Sequence, residues 1–379
     1  MLVLHGCTQQ STSLRADANL EPAAEAYGIV MALPQVPNGG VIAGCWDYYG
    51  PGHTRSNKHN GAIFEIVAAL KSETALEVDP DQVYIAGLSS GAGQAAVSGC
   101  LAPDVFAGVG INAGPMVGTA SSQASTLAGT TAQGVSTCRA FAGTSSGHFD
   151  TQLASIIYGS MDFIVAKGYG QRNADVLRTI YSSGQMLPAS SLDVSMLPGF
   201  EPAGTGTLFS DAEGLRIQLV EVTGMGHAFP AGSGDGFELN FIAKKGPAWP
   251  MMLAELFSMN NRRIDPNSRP LPSDAGPMAE AGAPREDAGR SDAEVVVDAD
   301  AGLVQPPDAE ACVDGSEHAD ATAFADAGVS GEAPEESEGC RCIANARGSG
   351  LALDVTWASL LLGLMMLGVS RRRRPSALR

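Results

Sequence analysis

Three residues that can together form a nucleophile–acid–base triad occur in the order serine, aspartate, histidine. Ser89 lies in the segment Gly-Leu-Ser-Ser-Gly at positions 87–91, directly after an apolar run and before a stretch of small residues. The pattern predicts a strand, a sharp turn with Ser89 at its apex, and a helix that begins with a free amide at Ser90. A serine hydroxyl presented in this way becomes a nucleophile when a base and a carboxylate lie beside it.

The acid and the base are predicted to be Asp162 and His227. Each lies just past the end of a run, at 154–158 or 215–223, that has the composition of a strand. The chain order Ser89, Asp162, His227 is the order that serine hydrolases built on α/β sheets use. This chemistry requires no metal and no cofactor, so we expect neither.

Other residues of the same types keep alternatives open. A second Gly-x-Ser-x-Gly match occupies positions 143–147, but no apolar run leads into it, so we interpret it as a loop. His53, His59 and His148 are rival bases that precede the expected acid, and Asp150 is a rival acid. For each predicted triad residue taken alone, an ordinary polar loop position remains the alternative.

The elements that must position these residues alternate between strand and helix. This alternation predicts an α/β fold with a mostly parallel sheet. Together with the order Ser89, Asp162, His227, it predicts the α/β-hydrolase type, with helices on both faces of the sheet. In such sheets, polar residues at the carboxyl ends of the strands meet at one edge. The predicted strands are 1–4, 27–34, 83–86, 105–112, 154–158 and 215–223, and the predicted helices are 60–73, 92–101, 170–183 and 249–259.

Composition divides the chain of 379 residues into three parts, at 1–265, 266–338 and 339–379. The first has the composition of a globular domain. The second is rich in Ala, Asp, Pro and Gly, and we predict a disordered acidic linker. Residues 271–340 hold 18 acidic and two basic residues, which accounts for most of the net charge of −18. The domain carries no basic patch with interleaved aromatic residues, so nucleic acid is not expected as a partner.

The third part predicts a membrane-associated tail. Residues 351–369 are mostly apolar, and four arginines follow at 371–374. The length is close to that of a membrane span, and the arginines would remain on the cytoplasmic side. A frayed amphipathic tail is the alternative. At the other end, a predicted strand begins at Met1 without a signal peptide, so we expect the domain to be N-terminally truncated.

Six motifs in order resemble the poly(3-hydroxybutyrate) depolymerase family of esterases, which includes feruloyl and acetylxylan esterases. The resemblance spans about residues 1–260 and implies Ser89 as nucleophile, Asp162 as acid and His227 as base. It also implies an oxyanion hole formed by the backbone amides of Cys7 and Ser90. The motifs are Leu-His-Gly-Cys-Thr-Gln at 4–9, Cys-Trp at 45–46, Asp-Pro-Asp-Gln-Val-Tyr at 79–84, Gly-Leu-Ser-Ser-Gly at 87–91, Pro-Asp-Val-Phe-Ala at 103–107 and Gly-Met-Gly-His-Ala-Phe at 224–229.

The C-terminal part resembles the sorting tails of myxobacterial surface proteins, because Cys340 precedes the apolar run and the arginine cluster. This resemblance implies export, processing near Cys340 by a sorting protease, and retention at the cell surface.

Four cysteines lie in the predicted domain and permit three disulfide connectivities, with buried free thiols as the alternative. If the domain is exported, we expect the pairs Cys7–Cys45 and Cys100–Cys138, each formed from the nearest available loops.

These observations predict a surface-anchored serine esterase that acts on poly(3-hydroxybutyrate)-type polyesters or their oligomers. A feruloyl or acetylxylan esterase is the alternative within the same chemistry, and a non-catalytic surface binding module is the alternative outside it. We expect Trp46, Tyr48, Tyr49 and Phe229 to line the mouth of the site, with ordinary core positions as the alternative. Oligomeric state is left open.

Overall fold

A computed structural model describes residues 1–182, 186–236 and 238–268. Within them the chain forms seven α-helices and eleven strands, several of them only two residues long. The helices are α1 Ser11–Asp17, α2 Glu21–Tyr27, α3 Asn60–Ser72, α4 Ser90–Leu101, α5 Thr131–Ala142, α6 Gly168–Tyr181 and α7 Trp249–Asn260. The strands are β1 Leu2–Leu4, β2 Tyr84–Leu88, β3 Gly108–Asn112, β4 Leu153–Gly159, β5 Ala189–Leu192, β6 Gly199–Phe200, β7 Gly204–Asp211, β8 Gly214–Val222, β9 Phe229–Pro230, β10 Ile242–Ala243 and β11 Gly246–Pro247.

Seven of these strands form one sheet in the order β1-β2-β3-β4-β8-β7-β5. The first five strands in this order, β1, β2, β3, β4 and β8, pair in parallel. Strand β7 pairs with β8, and β5 with β7, in antiparallel fashion. The mostly parallel sheet predicted from sequence is therefore present. Because the carboxyl ends of β1, β2, β4 and β8 all lie at one edge, the loops that follow them are brought together.

Helices cover both faces of this sheet, as predicted. Successive strand residues alternate between the two faces, so Ile85 packs with α3 and α4 while its neighbours Tyr84 and Ala86 pack with α7. Burial on both faces explains why β2 and β3 consist only of buried residues. A rigid sheet held between two apolar layers fixes the positions of the loops at its edge.

Most predicted elements in the described residues are present, but the strand predicted at 27–34 is reduced to one bridge. Helix α2 ends at Tyr27, and Gly28 adopts a left-handed conformation with φ of 62°. Only Ala32 then pairs with β1, through its bonds with Val3 and Met1. The segment therefore does run beside β1, but it pairs there at a single residue, and its first residue, Tyr27, ends a helix.

Helix α5 was hidden by its composition of small and hydroxyl-bearing residues. Thr130 caps it, and a reciprocal capping box joins Thr130 to Gln133. The helix buries Val135, Cys138 and Ala142 against the core, at helical spacing. The capping box is the sequence signal that identifies this helix.

The predicted linker from residue 269 onward and the whole predicted tail at 339–379 lie outside the described residues. No helix among the described residues has both the length and the apolar character needed to cross a membrane.

Candidate active site

Ser89 occupies a strained turn between β2 and α4. Its φ of 58° and ψ of −117° lie outside the regions favoured by residues with a side chain. Glycines on either side make the turn possible: a Cβ on Gly87 would lie 2.5 Å from the Gly91 backbone, and one on Gly91 would lie 2.4 Å from the Leu4 carbonyl. The strand–turn–helix predicted from the glycine spacing is thus confirmed, with a partly exposed serine at its apex.

Asp162 and His227 lie together at the carboxyl ends of neighbouring strands. The Nδ1 of His227 is 2.8 Å from Oδ2 of Asp162, and both side chains are buried. The other oxygen, Oδ1, accepts hydrogen bonds from the amides of Ile164 and Val165. An ionised carboxylate only accepts hydrogen bonds, so Nδ1 of His227 donates, and in the neutral imidazole this tautomer leaves Nε2 as the acceptor. The pair therefore has the orientation that a general base requires.

The two loops that carry this pair are tied by backbone hydrogen bonds. Strands β4 and β8 are direct neighbours in the sheet. Beyond their ends, the Ser160 amide donates to the Val222 carbonyl and the Met161 amide donates to the Met225 carbonyl, each at 2.9 Å. This pairing explains how residues 65 positions apart in sequence come into hydrogen-bond contact.

The predicted oxyanion loop follows β1, beside the serine turn. A Cβ on Gly6 would lie 3.3 Å from Cβ of Ser89, which places the start of this loop directly against Ser89. Within the described part of the chain, the amides of Cys7 and Ser90 donate to no protein acceptor. Two amides without a protein acceptor, one directly after Ser89 and one in the neighbouring loop, are donors of the kind that an oxyanion hole uses.

Several contacts fix the oxyanion loop. The Thr8 amide donates to the Ala43 carbonyl at 2.8 Å, and the Gly6 amide donates to Oε1 of Gln9 at 2.7 Å. Behind the loop, Nε2 of the buried His5 accepts from the Val36 amide, so its Nδ1 donates to the Gly6 carbonyl. Burial lowers the pKa of His5 below its ordinary value of 6.5, although the bond to Gly6 opposes this shift. A neutral His5 is thus part of the support of the loop.

Both predicted disulfides are present, Cys7–Cys45 and Cys100–Cys138. The first ties the oxyanion loop to the segment before Trp46. The second joins α4, which begins just after Ser89, to α5. The first bridge therefore constrains a loop of the site, and the second constrains two helices that pack on the sheet.

Ser89 and His227 make no hydrogen bond with each other among the described residues. Such contacts are commonly long in unliganded enzymes and tighten only with substrate bound. The assignment of Ser89 therefore depends on its turn, its chain order and its contact with the loop that begins at Gly6.

Three of the rival residues, Ser145, His53 and His59, make contacts of their own. The hydroxyl of Ser145 accepts a hydrogen bond from Arg55 at 3.1 Å, in a short helical segment at residues 143–150. His53 contacts the Tyr49 carbonyl and the side chain of Asn60, and Nδ1 of His59 accepts from the Asp47 amide. Each of these side chains has a structural contact that accounts for it.

Three residues predicted to line the mouth of the site are buried instead, which contradicts that prediction. Trp46, Tyr48 and Phe229 are exposed by 1%, 3% and 0%. The ring of Tyr48 packs against Gly93 of α4, where a Cβ would lie 2.7 Å from it, and Phe229 packs edge-on against Trp249. These three rings therefore belong to the hydrophobic core and not to the surface of the site. The fourth aromatic residue, Tyr49, is partly buried.

Exposed apolar side chains that the sequence did not predict lie on three loops that carry or contact residues of the site, and we call them the apolar rim. Met161, Phe163 and Ile164 flank Asp162, and Leu239 and Phe241 lie on the segment that contacts His227. Val41 and Ile42 precede Ala43, the residue bonded to Thr8. Their exposed fractions are 49%, 80%, 51%, 68%, 37%, 46% and 56%, in that order. Several large exposed apolar side chains on the loops of one site are typical of a surface that binds an apolar ligand.

Nothing in the described part of the chain forms a group of three or more His, Cys, Asp or Glu side chains suited to a metal ion.

A mostly parallel sheet covered on both faces, with a serine turn after one strand and an Asp–His pair after two others, defines the α/β-hydrolase fold. Residues 1–183 match the family model described as Esterase PHB depolymerase. The resemblance predicted from the motifs is confirmed over these residues.

Two curated relatives and one solved structure illustrate the similarity. The chain is 36% identical over 274 residues to a poly(3-hydroxybutyrate) depolymerase from Ralstonia pickettii, covering 69% of this chain and 54% of the relative. It is 27% identical over 243 residues to poly(3-hydroxyalkanoate) depolymerase C from Paucimonas lemoignei, covering 62% and 56%. The chain thus spans about half the length of the curated relatives it matches. An acetyl xylan esterase from Aspergillus awamori superposes with a TM-score of 0.47 at 18% identity, covering 60% of this chain and 82% of that one.

Proposed function

We propose that the domain described here is a serine hydrolase that cleaves the ester bonds of 3-hydroxyalkanoate polyesters or their oligomers. The observation that carries the proposal is the hydrogen bond between His227 and Asp162. These two residues follow Ser89 in the chain order that is typical of this fold. The family match and the names of the two depolymerase relatives support the polyester as substrate. The apolar rim supports a substrate with apolar segments.

In the proposed mechanism, Nε2 of His227 takes the proton of the Ser89 hydroxyl as its oxygen attacks the ester carbonyl. Asp162 holds the imidazole in the required tautomer and stabilises its charged form. The amides of Cys7 and Ser90 stabilise the negative charge that develops on the carbonyl oxygen. His227 then gives its proton to the leaving alcohol, and an acyl-enzyme remains on Ser89. A water molecule, deprotonated by His227, releases the acid and restores the serine.

The proposal is tested by hydrolysis of 3-hydroxybutyrate oligomers by the wild-type domain and two serine variants. Ser89→Ala is expected to lose at least about 10³-fold in kcat. Ser145→Ala is the matched control, because Ser145 lies in the second Gly-x-Ser-x-Gly segment, and its kcat should stay within about twofold. Retained turnover in Ser89→Ala would refute the triad.

Parallel assays separate the alternatives. Faster hydrolysis of methyl ferulate or acetylated xylan than of the oligomers would favour a polysaccharide esterase. No turnover of any of these esters, with binding retained, would favour a binding module.

We also propose that the protein is exported and retained at the cell surface. Two disulfides in the domain support an oxidising compartment, and the sequence of residues 339–379 supports an anchor that a sorting protease processes near Cys340. The acidic segment at 266–338 would act as a tether, so that the domain acts on esters arriving by diffusion. Deletion of residues 340–379 should release active esterase into the medium with kcat unchanged. Full-length protein found in the cytoplasm would refute the anchor.

A further inference from the structure

A tight turn next to His227 has an unusual backbone. Leu239 and Ile242 form an antiparallel bridge, with amide-to-carbonyl distances of 3.2 and 2.9 Å. The two residues between them, Asn240 and Phe241, both have positive φ, at 52° and 60°. Two successive residues of this kind are the pattern of a type I′ turn, which favours Asn followed by Gly.

Phe241 is poorly suited to its position in this turn. A bulky side chain in the left-handed region is a genuine outlier, and glycine would relieve the strain. Burial does not account for the ring, because Phe241 remains 37% exposed. The ring instead contacts His227 edge-on, with centroids 6.1 Å apart and planes at 79°. A strained aromatic residue beside the base of a proposed active site indicates a function at that site.

The turn is anchored to both loops of the site. Nε2 of Gln9 donates to the Asn240 carbonyl at 2.7 Å, while Oε1 of the same side chain accepts from Gly6 in the oxyanion loop. On the other side, Oε1 of Glu238 accepts from the amide of Gly226, next to His227, at 2.7 Å. The Phe241 ring is therefore held in a fixed place relative to both the base and the oxyanion loop.

We propose that Phe241 is a specificity-determining residue that contacts the alcohol portion of the ester. The inference rests on the proposed function, in which His227 gives its proton to the leaving alcohol. The group bonded to that oxygen must then lie beside the imidazole, and the Phe241 ring that contacts the imidazole is within reach of it. An apolar wall at this place favours esters of bulky or branched alcohols, such as the secondary alcohol of a 3-hydroxyalkanoate unit, over methyl esters.

The strain is tested separately from catalysis, by thermal unfolding of Phe241→Ala and Phe241→Gly. Both variants remove the ring, but only alanine retains a side chain in the left-handed conformation. We expect the glycine variant to melt about 2–4 °C higher than the alanine variant. Equal melting temperatures would show that the backbone is not strained at Phe241 and would overturn this part of the argument.

Selectivity is tested with two esters of the same acid, methyl and cyclohexyl 3-hydroxybutanoate. For Phe241→Ala, the ratio of kcat/KM for the cyclohexyl ester to that for the methyl ester should fall about tenfold from the wild-type ratio. Phe241→Leu keeps an apolar side chain and should retain most of the preference. A purely structural role of Phe241 would lower both rates equally, so an unchanged ratio would overturn the proposal.

The two proposals fail in different ways. If the wild-type protein hydrolyses neither ester, or if Ser89→Ala hydrolyses both, the serine-hydrolase proposal fails and the specificity proposal fails with it. If the wild type is active and loses activity in Ser89→Ala, but its ratio is unchanged in Phe241→Ala, only the specificity proposal fails.

Discussion

The side-chain amide of Asn112 donates a hydrogen bond to the carbonyl of Ala228 at 3.0 Å. Ala228 is the residue directly after His227. The carbonyl of the same Asn112 accepts from the amide of Ser89 at 2.9 Å. Asn112 is the last residue of β3 and is fully buried. One residue therefore connects the proposed nucleophile to the loop of the proposed base.

We expect Asn112→Ala to lower kcat by about 10²-fold, because a displacement of the base by about 1 Å has an effect of this size. The Ala228 carbonyl would also lose its donor, which costs about 1–3 kcal/mol of stability. Steady-state kinetics and urea unfolding measure the two effects.

Asn261→Ala provides the matched control. Asn261 is also fully buried, and its side-chain amide donates to the Asp81 carbonyl just before β2, at the opposite end of the sheet. This variant should lose comparable stability with little change in kcat. A similar loss of kcat in both variants would mean that Asn112 acts only through stability.

The features that the sequence predicted correctly have local signals. The serine turn requires glycine at positions 87 and 91, and strands of a parallel sheet place Asp162 and His227 at a common edge. Asn112 and Gln9 have no such signal, because their partners at the site lie 116 and 231 residues further along the chain. Contacts of this length are set by the finished fold.

The aromatic residues illustrate a second limit. Trp46 and Tyr48 follow Cys45, the disulfide partner of Cys7, in sequence. Aromatic residues suit a binding surface as well as a core. Only packing distinguishes the two: Gly93 leaves space on α4 that the Tyr48 ring fills. The antiparallel edge was missed for a related reason, since β5 is largely exposed and carries no apolar pattern.

The two disulfides offer a matched pair, since each closes a sequence separation of 38 residues. Loop entropy alone then predicts the same stabilisation for both, about 4 kcal/mol. Replacing Cys7 and Cys45 by alanine should also lower kcat, because the free Cys7 amide would lose its fixed position. Replacing Cys100 and Cys138 should leave kcat unchanged.

Urea unfolding of both double variants, with kinetics at a temperature where each is folded, checks this expectation. Equal values of kcat in the two variants would contradict a role of the Cys7–Cys45 bridge in the site.

Stability should fall as the pH drops below about 6.5. Burial is the main cause that lowers the pKa of His5, His53 and His59 below the ordinary value of 6.5. At His53 and His59, the charge of Lys58 lowers the pKa further and the charge of Asp47 raises it. Between the folded pKa and 6.5, the unfolded chain binds more protons than the folded chain, so acid favours unfolding. Above 6.5 these groups are neutral in both states and add no pH dependence.

Thermal unfolding between pH 8 and pH 5 measures this dependence. His59→Gln should flatten the slope of the melting temperature against pH, because this variant removes one of the three imidazoles whose pKa is lowered by burial. Equal slopes in the wild type and His59→Gln would refute the assignment to His59.

The apolar rim predicts that substrate length matters. Phe163 is next to Asp162 and 80% exposed, so Phe163→Ser removes apolar contact area at almost no cost in stability. We expect KM for a 3-hydroxybutyrate oligomer to rise about tenfold, and KM for a p-nitrophenyl acetate substrate to rise much less, because only the longer substrate reaches the rim. Val30→Ser is the control: Val30 is also exposed, but its carbonyl bonds the amino group of Met1, at the amino ends of the strands. If Phe163→Ser raises KM equally for both substrates, or if Val30→Ser has the same effect on the oligomer, the rim does not bind the polymer chain.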